Sequence, residues 1–91
     1  MSHTITKNVY IRNELGLHAR PAALLAQEAA KFEARITFTG DGMVADAKSV
    51  LDILSLAAGQ GKTILLEAEG SDAQQAVLHL EQLFKDGFGE N

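Results

Sequence analysis

The sequence predicts an α+β domain in which helices cover one face of a four-stranded sheet. Apolar residues alternate in four short segments and recur at helical spacing in three others. Glycine turns and serine or proline helix starts fall at the boundaries between them. The resulting order is β-α-β-β-α-β-α. It combines one hairpin with helical crossovers, which suits helices packed together on one side of a sheet.

The first strand is read from Ile5 to Arg12, where Ile5, Val9 and Ile11 share parity and Lys7 is the exception. A loop over 13–17 leads into a helix from Ala19 to Lys31, with Ala22, Leu25, Ala29 and Phe32 on one apolar stripe. Ala34 to Thr39 alternates as a second strand. Gly40-Asp41-Gly42 turns the chain, and Met43 to Ala45 returns beside it as a hairpin. Ser49 opens a short helix through a variant capping box with Asp52. The serine oxygen takes a free N–H there, and the acidic side chain reaches back. Gly59-Gln60-Gly61 closes that unit, and Thr63 to Glu69 is the last strand, with Ile64, Leu66 and Ala68 on one face. Ser71-Asp72-Ala73-Gln74 reads as a second capping box. It starts a helix that buries Ala73, Val77, Leu80 and Phe84. Phe88 is placed to anchor the tail, and Gly89-Glu90-Asn91 is expected to fray.

Composition narrows the function classes. The 91 residues allow one small domain, 1–91, with its core over about 4–86. A net charge of −4 and eight scattered Lys and Arg argue against a nucleic-acid binder. With no cysteine, a disulfide framework and a thiolate metal site are both excluded. The apolar runs fall far short of the roughly 18–20 residues of a membrane span. Met1-Ser2-His3-Thr4 lacks the basic and apolar regions of a secretory signal, so the expected location is the cytoplasm.

The chemistry concentrates in residues 13–23. His18 stands where a loop becomes a helix, with Arg20 two residues on and Pro21 preset for the first helical turn. A helix N-terminus leaves N–H groups unpaired and carries roughly +0.5 of an elementary charge, so it attracts anions. Arg20 adds a fixed charge and several donors suited to phosphate oxygens. A neutral imidazole nitrogen here can attack a phosphoryl group, and the positive helix end disfavours added charge on the ring. A lone histidine at a helix start is more often a cap or a surface residue. Core packing, however, explains little of His18 and Arg20 together, and the pair reads as a phosphohistidine site.

Other signals carry less. Gly61-Lys62-Thr63 resembles the end of a phosphate-binding P-loop, but that motif needs a glycine where Leu56 stands, and here the lysine enters a strand. His3, His18 and His79 lack ligand spacing, so no metal or other cofactor is expected. His79 reads as a surface or half-buried structural histidine, and Asp46 and Asp52 as turn and capping residues.

Gly16-Leu17-His18-Ala19-Arg20-Pro21-Ala22 resembles the active-site signature of the HPr family, histidine phosphocarriers of the bacterial phosphoenolpyruvate-dependent phosphotransferase system. Ala47 to Leu56 resembles that family's regulatory-serine segment at the expected distance downstream. Together the two blocks carry the likeness over residues 4–86. The resemblance implies an HPr-like open-faced β-sandwich, with an antiparallel sheet in spatial order 1-4-2-3 and three helices on one face. It implies a carrier without catalytic turnover of its own. His18 takes a phosphoryl group from phosphorylated enzyme I, through Nδ1 in the family, and passes it to a sugar-specific IIA domain. Arg20 and the N–H groups near Ala19 and Arg20 stabilise the phosphate. Leu51 and Leu54 are expected on the docking surface, with Leu17 and Val50 as weaker members. Ser49 is both a helix cap and the counterpart of the serine phosphorylated by HPr kinase/phosphorylase, although Asp52 stands where strongly regulated relatives carry glycine. A monomer is expected, with no nucleic-acid partner and no membrane insertion. Two other outputs remain open from sequence: a nitrogen-branch regulatory paralogue, and a protein-binding co-regulator without transfer. Leu83 to Phe88 resembles tails of the nitrogen branch and of other proteobacterial-type HPr proteins alike.

Overall fold

The computed structural model describes residues 3–90. Its elements are β1 (Thr4–Tyr10), α1 (Ala19–Ala29), β2 (Arg35–Gly40), β3 (Met43–Asp46), α2 (Val50–Ser55), β4 (Thr63–Glu69) and α3 (Ala73–Lys85), followed by a 3₁₀ turn over Gly87–Gly89. The strands form one antiparallel sheet in the order β1-β4-β2-β3, as the resemblance implies.

Register explains the core. Val9 faces Ile64, Leu66 faces Phe38, and Phe38 faces Ala45, so apolar side chains meet across the strands on one face. Lys7 has the inward parity of Val9, and it is tolerated because β1 is an edge strand. Its ammonium reaches Glu81 of α3 at 3.6 Å instead of entering the core. Leu25 and Ala29 of α1, Ile53 of α2, and Val77, Leu80 and Phe84 of α3 close over that face. At the centre, Phe38 and Phe84 meet edge to face with centroids 5.7 Å apart.

Several boundaries differ from the sequence reading. α1 stops at Ala29, and Phe32 packs half-buried against the core from the turn that follows. β1 ends at Tyr10, yet Ile11 still exchanges backbone hydrogen bonds with Gly61 and Lys62. The box at Ser71 does not form. Asp72 is the N-cap of α3 but makes no side-chain cap. Its carboxylate instead accepts from the N–H groups of Glu33 and Ala34 at 2.9 and 2.8 Å. Two backbone donors ahead of β2 outcompete a local cap. At Ser49 half of the expected box forms: Oγ accepts from Asp52 N at 3.2 Å, while Asp52 Oδ2 accepts from Asp46 N.

Where the sequence predicts fraying, the tail packs back onto the domain through Glu90, which meets His18 and Asn13; Asn91 lies outside the described residues. Phe88 is buried against Phe84 with centroids 5.0 Å apart. Its φ of 57° is left-handed, a conformation costing a bulky residue roughly 1–3 kcal/mol. Burial of its ring offsets that cost and sets the direction of Glu90.

Candidate functional site

The loop before α1 is built around Gly16 and Asn13. Gly16 has φ +67°, and a Cβ there would lie 2.6 Å from the Ala58 carbonyl oxygen, so only glycine lets the loop pass this close. Leu17 N donates to that same oxygen at 3.0 Å. Asn13 is fully buried, and its Nδ2 donates both to Gly16 O and to Glu90 Oε1, each at 2.8 Å. Both partners are acceptors, which fixes the orientation of the amide. Its Oδ1 has no hydrogen-bond partner.

His18 is the N-cap of α1, with an extended backbone and no side-chain cap of its own. The imidazole is therefore free to work outward, and 34% of it is exposed. Its Nε2 lies 2.8 and 3.0 Å from the two carboxylate oxygens of Glu90. The hydrogen bond from His18 is the main cause holding the Glu90 carboxyl below its ordinary range, against a smaller upward push from burial. Asn13 and the charges of His18 and Arg20 add to the lowering. An ionised carboxylate only accepts, so Nε2 is the donor in this contact, and in the neutral ring that puts the lone pair on Nδ1.

Arg20, in the first turn of α1, is exposed. Together with Glu14, Leu15, His18, Gly89 and Glu90 it lines an open depression of about 430 Å³. The first N–H groups of the helix, beginning at Ala19 next to His18, lack intrahelical acceptors. An imidazole lone pair, a guanidinium and a positive helix end thus converge where an anion can approach from solvent.

The other residues singled out in the sequence scatter more. Leu17 is only 4% exposed and belongs to the core, so its side chain is not offered to a partner. Leu15, two residues earlier, is 70% exposed instead. Leu51 is 77% exposed, Val50 borders exposure, and Leu54 is half-buried against the core. Ser49 is half-buried at the start of α2. His79 is an exposed helix residue bonded to Glu28 at 2.6 Å. Among the described residues, no three His, Cys, Asp or Glu gather in a metal-binding group, and no helix is long and apolar enough to cross a membrane. Sequence reading missed Leu15, Asn13 and Glu90. Only the Phe88 anchor hinted at the last.

The open sandwich and its imidazole at a helix start define a class of small α+β proteins with an anion-facing histidine. The chain belongs to the HPr family: residues 5–86 match the family described as PTS HPr component phosphorylation site. The chain is 38% identical to the phosphocarrier protein HPr of Treponema pallidum over 86 residues, 94% of this chain and 98% of that one. It is 45% identical to the HPr-like protein Crh of Halalkalibacterium halodurans, over 80% of this chain and 87% of the relative. The crystal structure of HPr-C-His from Thermoanaerobacter tengcongensis superposes with a TM-score of 0.91 at 41% identity, covering 96% of this chain and 98% of that one.

Proposed function

We propose that this chain is a phosphocarrier of the phosphotransferase system that holds its phosphoryl group on His18 Nδ1. The observation that carries the reading is the engagement of Nε2 by Glu90, which leaves Nδ1 as the nitrogen for the phosphoryl group on a histidine that lines one depression with Arg20. The nitrogen attacks phosphorus, and Arg20 with the helix N–H groups screens the phosphoryl oxygens. Exposure keeps this stabilisation modest, which suits a carrier that must release what it binds. Enzyme I is the donor and a IIA domain the acceptor, and the protein acts in the cytoplasm. Leu15, Val50 and Leu51 form the apolar part of the docking surface, with Arg20 at its rim. Ser49, capping α2 beside this surface, is the site at which an HPr kinase would switch docking off.

Labelling with phosphoenolpyruvate and enzyme I, followed by peptide mapping, tests the reading. One acid-labile phosphoryl group on His18 is expected. Labelling on His79, or undiminished labelling of His18→Ala, overturns it. A second reading is a protein-binding co-regulator without transfer; it draws on the likeness to the HPr-like protein Crh, described in Bacillus subtilis as the catabolite repression HPr. Failure of onward transfer to every IIA acceptor would favour it.

A further inference from the structure

The carrier reading uses the Glu90 contact to show which nitrogen of His18 is free, and it gives the carboxylate no part in the transfer itself. Three features fix the Glu90 carboxylate. Asn13, fully buried, donates to Oε1 at 2.8 Å. The Gly87–Gly89 turn aims the side chain, and the buried Phe88 ring pins that turn against Phe84. Only 11% of the Glu90 side chain is exposed, so it is held in place beside the ring.

We propose that Glu90 is a positioning residue for phosphoryl transfer: the strap of residues 87–90 holds it against His18 so that Nε2 keeps its proton in both the free and the phosphorylated ring. The proposal rests on the reading of His18 as the carrier. In the forward step the Nδ1 lone pair attacks phosphorus. The P–Nδ1 bond forms as the bond from phosphorus to the donor breaks, and the donor leaves with that electron pair. The proton stays on Nε2, so the ring becomes cationic, and the Glu90 carboxylate compensates the charge at the edge away from the phosphoryl group. In the return step Nδ1 leaves with its bonding pair as a neutral imidazole. Without the Nε2 proton the leaving group would be an imidazolate, which departs far less readily. Glu90 thereby keeps the phosphoryl group transferable. The other charged groups at the depression are Arg20, which attracts the phosphoryl oxygens, and Glu14, an acid that repels them.

The test compares wild type, Glu90→Ala and Glu90→Gln as full chains labelled with ¹⁵N at histidine. NMR at a pH where the free ring is neutral reads which nitrogen carries the proton. Wild type is expected to hold it on Nε2. Glu90→Ala should shift the tautomer ratio toward Nδ1–H by roughly tenfold, the equilibrium worth of one charge-assisted hydrogen bond. Glu90→Gln, which keeps an acceptor oxygen without the charge, should fall between. The phosphorylated forms, prepared with enzyme I or with phosphoramidate, are then followed over pH. Release of the phosphoryl group from Glu90→Ala should slow at a lower pH than from wild type. An unchanged tautomer ratio, or an unchanged pH midpoint of release, overturns the proposal. The tautomer measurement needs no enzyme I, so an inert His18 in the labelling assay would sink the carrier reading while the hold of Glu90 on the Nε2 proton is decided separately.

Discussion

Arg20 is exposed beside His18, so its guanidinium is open to a passing anion. Arg20→Ala should leave the melting temperature unchanged while slowing transfer from enzyme I by roughly tenfold to a hundredfold, as one or two charge-assisted hydrogen bonds would. Unchanged transfer with both donor and acceptor would remove Arg20 from the mechanism. Gly16 acts in the opposite manner, through the fold. Gly16→Ala places a Cβ against the Ala58 carbonyl at a left-handed φ and should cost more than about 1 kcal/mol. It also shifts the loop carrying His18, so thermal unfolding and transfer should fail together. His18, Arg20 and Gly16 were legible in the sequence because their chemistry is local to one loop and one helix start. Asn13 and Glu90 were not: the bonds from Glu90 span 72 residues to His18 and 77 to Asn13. Leu15 and Leu17 share strand-like parity in the sequence. Only the loop's path past Ala58 buries one and exposes the other.

Among the elements, the six-residue α2 has its N-cap Ser49 directly before Val50 and Leu51, the residues proposed for docking, so stability and function can be separated there. Ser49→Ala removes the bond to Asp52 N and should cost roughly 0.5–2 kcal/mol. Ser49→Asp can still cap the helix, yet it places a negative charge beside Leu51 and Val50, facing phosphorylated donors. Alanine should therefore melt earlier but transfer normally, and aspartate should melt near wild type but transfer more slowly. Equal transfer rates would show that charge at Ser49 does not gate docking. Element type and order were legible because alternation and helical spacing are local. The ends of α1 and α3 were less so. Phe32 satisfies the helical stripe from outside the helix, and Asp72 spends its carboxylate on Glu33 and Ala34 rather than on its own helix. Pairing of strands could not be read from periodicity at all, since alternation says which face a residue takes and nothing of its neighbour.

At the scale of the whole molecule, Glu28, Asp72 and Glu90 are among the carboxylates that join elements distant in sequence. Glu28 links α1 to His79 of α3, Asp72 links the start of α3 to the residues before β2, and Glu90 links the tail to α1. Each is held below its ordinary range: Glu28 mainly by Lys31 and then His79, Asp72 mainly by the Glu33 N–H, and Glu90 mainly by His18. A carboxylate with a lowered folded-state value favours folding in its ionised form. That contribution is present above the unfolded value, about 4 for these groups, and is lost as the pH falls through the folded one. The melting temperature should therefore be flat near neutrality and drop once the pH passes below about 4. Asp72→Asn isolates one share of this behaviour. The two N–H groups use different carboxylate oxygens, and the amide replaces one of those oxygens with an NH2 donor, so one N–H then faces a donor instead of an acceptor. The variant should melt below wild type at neutral pH and lose less on acidification, the two curves converging at low pH. Melting curves collected from neutral to acid pH for both proteins decide the matter. Parallel curves would mean that Asp72 titrates alike in the folded and unfolded chains, and that its bonds to Glu33 and Ala34 do not depend on its charge.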